Sequence, residues 1–196
     1  MEFAPMRASM RPFGRAADLD LDFGQSDRPG LVTAVLAQCD AGDTAADAWW
    51  SRSVGARTAA LLGLVTVTED KPQISFTARC TQVGCGGLFG FDLPLQALAA
   101  QGMTDDEPVQ VELDAARSVR LRRPTGADLR DWHAQRPATR AQAVQTMLNA
   151  LLLDGRVDAH QYEARLSEAI AALDPLVAFS ARCTGPACGA PSEVTV

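Results

Sequence analysis

Ile74-Ser75-Phe76-Thr77-Ala78-Arg79-Cys80-Thr81-Gln82-Val83-Gly84-Cys85-Gly86-Gly87 and Val177-Ala178-Phe179-Ser180-Ala181-Arg182-Cys183-Thr184-Gly185-Pro186-Ala187-Cys188-Gly189-Ala190 carry one pattern twice. Seven of the fourteen aligned positions are identical, and four more are close exchanges (Ile for Val, Thr for Ser, and Gly for Ala twice). Val177 follows Ile74 by 103 positions, beyond the roughly 20–50 residues of a stacked repeat. The two copies therefore read as matching pieces that the fold brings together. Ile74, Phe76 and Ala78 share one face of a strand, as do Val177, Phe179 and Ala181, because side chains alternate along an extended chain. A Gly- or Pro-containing turn between cysteines follows in each copy, with Gly straight after the second cysteine. Strand-forming residues then resume, Leu88 to Leu93 in the first copy and Ser192 to Val196 in the second.

Strand, cysteine-flanked turn and strand, repeated once, is the arrangement in which a zinc ribbon presents four thiolates tetrahedrally. Cys80, Cys85, Cys183 and Cys188 are the expected ligands of a structural Zn2+. Four residues separate the cysteines of each pair, at the long end of the tolerated two to four. A local disulfide within each pair, a redox-dependent mixture and free thiols stay open as alternatives. Zinc is preferred because a local disulfide would close a very short loop and constrain little, and a reducing cytoplasm disfavours it. A closed shell of four thiolates has no open coordination position, so the metal would be structural rather than catalytic. Cys39, in an apolar helical stretch, is expected as a buried small hydrophobe.

Outward from the repeat, the expected organisation is an N-terminal arm over 1–28, a helical cap over 29–70 and a split zinc-ribbon-like domain over 71–196, into which a hairpin and helices are inserted over 104–174. The cap comprises an apolar helix from Pro29 past Leu31, Val32, Val35 and Leu36, a short helix through Trp49-Trp50 capped by Asp43 or Thr44, and a longer helix from Ser53 to about Leu64. A short helix over Leu95 to Ala100 should stop at Gly102. Val109 to Leu113 and Ser118 to Arg122 alternate and predict a hairpin. Thr125 and Asp128 form a capping box that opens a helix through Trp132. Two amphipathic helices follow: Thr139 to Leu153 with Val144, Met147, Leu148, Leu151 and Leu152 on one side, and Ala159 to Leu173 with Tyr162, Leu166, Ile170 and Leu173 inward. The class is α+β: two Cys hairpins brought together, an N-terminal helical cap and a helical bridge.

The chain has 196 residues, 47% of them hydrophobic and 21% charged, enough for a real core. A net charge of -6 and a pI of about 4.9 argue against sequence-independent nucleic-acid binding, which needs surplus Lys and Arg. No apolar run approaches the ~20 residues of a membrane span. The opening residues carry no basic segment followed by an apolar one, so a cytoplasmic location is expected. Catalytic signatures are missing: His133 and His160 sit in no metalloprotease spacing, and no nucleophile elbow or phosphate loop occurs. No enzyme and no small-molecule substrate are expected. Asp18, Asp20 and Asp22 alternate like a calcium loop but lack its downstream Glu. Arg117, Arg120, Arg122, Arg123, Arg130, Arg136 and Arg140 form a basic stretch, read first as a solvated face and second as a surface for an acidic protein.

Arg120-Leu121-Arg122-Arg123-Pro124-Thr125-Gly126-Ala127-Asp128-Leu129, set between the knuckles Cys80/Cys85-Gly86 and Cys183/Cys188-Gly189, resembles the phage T4 baseplate protein family. Ser53 to Leu62 is similar to the Gly-Arg-Arg-x-x-x-Leu-Leu helix that precedes the first knuckle in that family, and Leu173-Asp174-Pro175 to its acidic-Pro turn. The knuckles depart from the usual Cys-Pro-x-Cys-Gly by two extra residues each. The resemblance spans roughly 30–196 and implies a structural or assembly protein of the baseplate of a contractile phage or phage-derived injection particle. Its implied partners are other baseplate or tail proteins, met during assembly in a bacterial host or within the particle. Trp49, Trp50, Trp132 and Arg122 are the expected docking anchors. The alternative is a zinc-ribbon adaptor for nucleic acid or the transcription machinery.

Overall fold

Asp27 opens the first α-helix by accepting the Gly30 amide at 3.0 Å, and Pro29 near the start sacrifices no intrahelical donor. The computed structural model describes residues 10–42, 45–102, 107–154, 157–174, 176, 180–184, 188–189 and 191–195, with the side chains of 159–160, 180–184 and 191–195 outside that description. The helices are α1 (Arg28–Cys39), α2 (Ala46–Ser51), α3 (Val54–Glu69), α4 (Leu95–Gln101), α5 (Gly126–Gln135), α6 (Arg140–Leu151) and α7 (Ala159–Leu173). The strands are β1 (Gln73–Arg79), β2 (Leu88–Pro94), β3 (Val109–Asp114), β4 (Arg117–Leu121), β5 (Ser180–Thr184) and β6 (Pro191–Thr195). Among the described residues they pair as three separate antiparallel two-stranded sheets, β1–β2, β3–β4 and β5–β6. Mixed helix and sheet of this kind is α+β. Among the described residues no helix is long and apolar enough to cross a membrane.

The cap helices begin as their sequences require, with Ser53 accepting the Ala56 amide at the start of α3. Asp43 and Thr44, expected to cap α2, lie outside the described residues. α3 runs past Leu64 to Glu69 although Val65 to Thr68 contains four β-branched residues in a row. Tertiary contacts outweigh that local preference: Leu61 and Leu64 pack against α1, and Thr68 Oγ1 accepts the Phe13 amide at 3.0 Å. The helix stops where Asp70 turns left-handed, at φ 51°.

From Met10 onward the described part of the N-terminal arm is tied to the cap helices. Met10 bridges Asp40, and Met10, Phe13 and Leu21 pack on a cluster formed by Leu31, Val35, Cys39 and Leu64. Asp18 is fully buried and paired with Arg11, which also donates to the Gln38 carbonyl at 2.7 Å. This explains the alternating carboxylates: Asp18 is a structural anchor and points inward.

Among the described residues the largest core lies in the inserted region. Leu113, Val119, Leu121, Leu148, Leu151, Tyr162 and Leu166 are buried together, with Trp132, Val144, Ile170 and Leu173 packed on the cluster. The hairpin register Val109↔Leu121 and Val111↔Val119 puts its apolar residues on one face, toward α6 and α7. Met147, expected inward on α6, is instead 37% exposed. The chain after α6 adds a short third edge to the hairpin, through the Leu121↔Leu152 bridge and the bonds Arg122 N–H to Leu151 O (2.9 Å) and Leu153 N–H to Arg120 O (2.9 Å).

Candidate metal centre

β1 delivers the chain directly into the first knuckle. Its register with β2, from Gln73↔Pro94 to Arg79↔Leu88, ends one residue before Cys80. The Cys80 amide then donates to Gly87 O at 2.8 Å and the Cys85 amide to Gln82 O at 3.1 Å, which folds the loop back on itself. That reversal needs left-handed backbone at Gly84 (φ 80°) and Gly86 (φ 56°), which residues with side chains rarely adopt. Gly189, the counterpart of Gly86 in the second copy, is also left-handed at φ 66°. The repeat read in the sequence therefore extends to backbone conformation.

The two knuckles meet. The sulfurs of Cys80, Cys85 and Cys188 all lie within 4.8 Å of one another, and Cys80 Sγ is 3.8 Å from Cys188 Sγ. Tetrahedral coordination at a Zn–S distance of about 2.3 Å sets adjacent sulfurs roughly 3.8 Å apart, so this spacing suits ligands on one ion and is far from the ~2.05 Å of a disulfide. Cys80 is buried, Cys85 half-buried and Cys188 exposed. Cys183 occupies β5 opposite Ser192, and its side chain lies outside the described residues. Val177 and Phe179, read as strand residues ahead of it, lie outside the description as well.

Electrostatics inside the cluster favours a cation. The Gly87 amide hydrogen-bonds the Cys85 sulfur and draws its pKa down, but hydrogen bonding with Cys188, burial and the Cys80 thiol together outweigh it and raise the Cys85 thiol above its ordinary range. Crowded sulfurs resist ionising together unless a positive ion sits among them, and a bound ion deprotonates such thiols outright. Three nearby cysteines can thus bind a metal. Thiol donors suit a soft or borderline ion such as Zn2+ and not Ca2+ or Mg2+, which take oxygen ligands.

Each expected docking anchor makes contacts within the chain, and Trp49 alone among them is buried. Trp49 is 4% exposed and packs with Leu36 and Ala60, and Trp132 packs on the main core. Two guanidinium groups lie over the Trp50 ring, Arg57 at 5.3 Å and Arg130 at 5.1 Å from its centroid. Arg122 is held by both carboxylate oxygens of Asp128, at 2.6 and 2.8 Å, and donates to Ala150 O at 2.8 Å. The basic stretch is largely neutralised on the spot: Arg117, Arg120, Arg122, Arg130 and Arg140 pair with Asp114, Asp154, Asp128, Asp131 and Glu163.

A second long-range junction was legible only as scattered motifs. The Val54 amide donates to Pro124 O at 2.8 Å, the Gly126 amide to Arg52 O at 3.0 Å, and Ser53 bridges Thr125. Fully buried Asp174 accepts the Gly55 amide at 2.7 Å, across 119 positions. Arg57, 2% exposed, reaches Trp49 O, Pro29 O and Thr33 Oγ1, and burial lowers its pKa. An arginine inside an apolar helix was the available signal, but its partners come from two other helices, α1 and α2. Compared with protein-family models, curated proteins and solved structures, the chain matches none.

Proposed function

We propose that this chain is a structural or assembly component of the baseplate or tail of a contractile phage or phage-like injection particle. It acts by protein–protein contact and is held together by a structural zinc ion on Cys80, Cys85, Cys183 and Cys188. The observation that carries this reading is the convergence of the stretches that resemble the T4 baseplate family. Ser53 to Arg57, Pro124 to Asp128 and Asp174 are far apart in the chain, yet they are joined by direct backbone and carboxylate hydrogen bonds. Such a junction gives one structural reason for Gly, Arg, Pro-Thr and Asp to occur together in one sequence. Added side chains at Gly55 and Gly126 would run into Asp174 at 2.0 Å and Arg57 at 2.4 Å.

Docking then falls to apolar side chains that the fold leaves outside, among them Val83 at the tip of the first knuckle and Leu88 beside it, 104% and 60% exposed. The nucleic-acid alternative gains nothing from the arginines, because local carboxylates already hold most of the basic stretch. Affinity capture of the tagged chain against baseplate and tail subunits of contractile particles tests the reading. Recovery of baseplate subunits, with tails lacking baseplates when the chain is deleted, is the expected result. Capture of none, or normal tails after deletion, overturns it. Elemental analysis of reduced protein is expected to find about one zinc per chain; no bound metal would remove the zinc clamp.

A further inference from the structure

We propose that Cys80 and Cys188 form a peroxide-sensitive cross-linking site that joins the two knuckle hairpins covalently. Their sulfurs approach to 3.8 Å although the residues stand 108 positions apart. The two thiols differ in the way such a pair requires. Cys188 is exposed, so a small peroxide reaches its sulfur, whereas Cys80 is 6% exposed and is positioned to resolve the product. The geometry assigns the Cys80–Cys188 pair because its 3.8 Å separation joins an exposed sulfur to a buried one, and Cys85, within 4.8 Å of both, is the competing partner.

The chemistry balances with one peroxide. The Cys188 thiolate attacks a peroxide oxygen and the O–O bond breaks. The departing oxygen leaves as hydroxide or alkoxide and takes a proton, and Cys188 becomes a sulfenic acid. The Cys80 sulfur then attacks the Cys188 sulfur. The S–S bond forms, the S–O bond breaks, and the hydroxyl leaves as water with the Cys80 proton. Two thiols are oxidised to one disulfide, and one peroxide is reduced, hydrogen peroxide giving two waters. The site goes beyond the zinc reading and does not require it: metal-free reduced protein carries the same pair. Where zinc is bound, consuming two thiolates removes two ligands and releases the ion.

Trypsin separates the outcomes, because cleavage after Arg79 and Arg117 places Cys80 and Cys85 on one peptide, and cleavage after Arg182 places Cys183 and Cys188 on another. The full chain, reduced and either zinc-loaded or chelated, is treated with hydrogen peroxide, digested without reduction and mapped by mass spectrometry. The expected product is peptide 80–117 joined to 183–196, with fragmentation locating the bond between Cys80 and Cys188 and with loss of two reactive thiols. Disulfides confined within either peptide, a bond through Cys85 or Cys183 instead, or oxygenated cysteines with no cross-link would overturn it. The two preparations keep the questions apart: failure of the reduced protein to retain added zinc before peroxide treatment, with a linked peptide formed afterwards, sinks only the metal reading, and zinc retention without a linked peptide from either preparation sinks only the cross-link.

Discussion

Asp18 has no exposed surface, yet it is held as a carboxylate. The Arg11 guanidinium donates to both its oxygens, at 2.9 and 2.6 Å, and the Gly14 and Arg15 amides donate at 2.8 Å each. The Arg11 hydrogen bonds come first and, with those amides, outweigh burial and keep the carboxyl well below the usual carboxylate range. A folded pKa below the unfolded value of about 3.9 means that the stabilisation is complete above that value and is lost as pH falls through the folded one. Asp18→Asn should therefore cost about 3 kcal/mol near neutral pH, because it leaves the arginine without its counter-charge. The variant should also show a flatter fall in stability below about pH 4 than the parent. Urea unfolding at a series of pH values checks both, and parallel acid limbs would refute the assignment. In the sequence Asp18 stood in an alternating run with Asp20 and Asp22; nothing local distinguished the one that turns inward.

At the level of elements, the start of α3 is where separate parts of the chain are joined. A methyl group on Gly55 would sit 2.0 Å from Asp174 Oδ1, and one on Gly102 would sit 2.5 Å from Gly55 O. α3, α4 and the end of α7 approach closely only because these positions lack Cβ. Gly63 lies on the same helix with nothing within 4 Å of a built Cβ. Gly55→Ala should destabilise by about 3 kcal/mol, since both the amide and its buried acceptor are displaced. Gly63→Ala should stabilise by about 0.5–1 kcal/mol, because alanine has less backbone freedom to lose. Thermal unfolding of the two variants side by side gives opposite signs if the junction is as described; equal shifts would contradict it. Helix propensity alone treats these two glycines alike.

For the molecule as a whole, the helical cores and the thiol cluster are held by different forces. The clusters around Leu121 and Leu166, and around Leu31 and Leu36, are apolar and contain none of the knuckle cysteines. With zinc bound, chelation should expose four thiols and loosen β1–β2 and β5–β6 while the helical signal persists. Hydrogen exchange should rise at least tenfold in the knuckle hairpins and little in α6 and α7, in line with local opening below the global unfolding free energy. Loss of all helical signal on chelation would show instead that the metal nucleates the entire fold, as in a small zinc finger.

The sequence alone determined the elements whose causes are local. Alternation placed β1 and the β3–β4 hairpin, the 3.6-residue spacing placed α1 and α7, and the Thr125–Asp128 box started α5, because each depends on neighbours within a few positions. The matched cysteine turns identified a knuckle pair, and the positive φ shared by Gly86 and Gly189 follows from that local pattern. Tertiary structure decided which surfaces meet. It continued α3 through a β-branched run, buried Trp49, packed Trp132 on the main core, paired Arg122 with Asp128, and exposed Met147. It also set Asp174 on the Gly55 amide and brought Cys188 to Cys80. The Asp174 and Cys188 contacts depend on closing loops of more than 100 residues, and the others on the competition of apolar faces for burial. Periodicity can say that a side chain should be buried, but only the assembled chain supplies the partner that buries it.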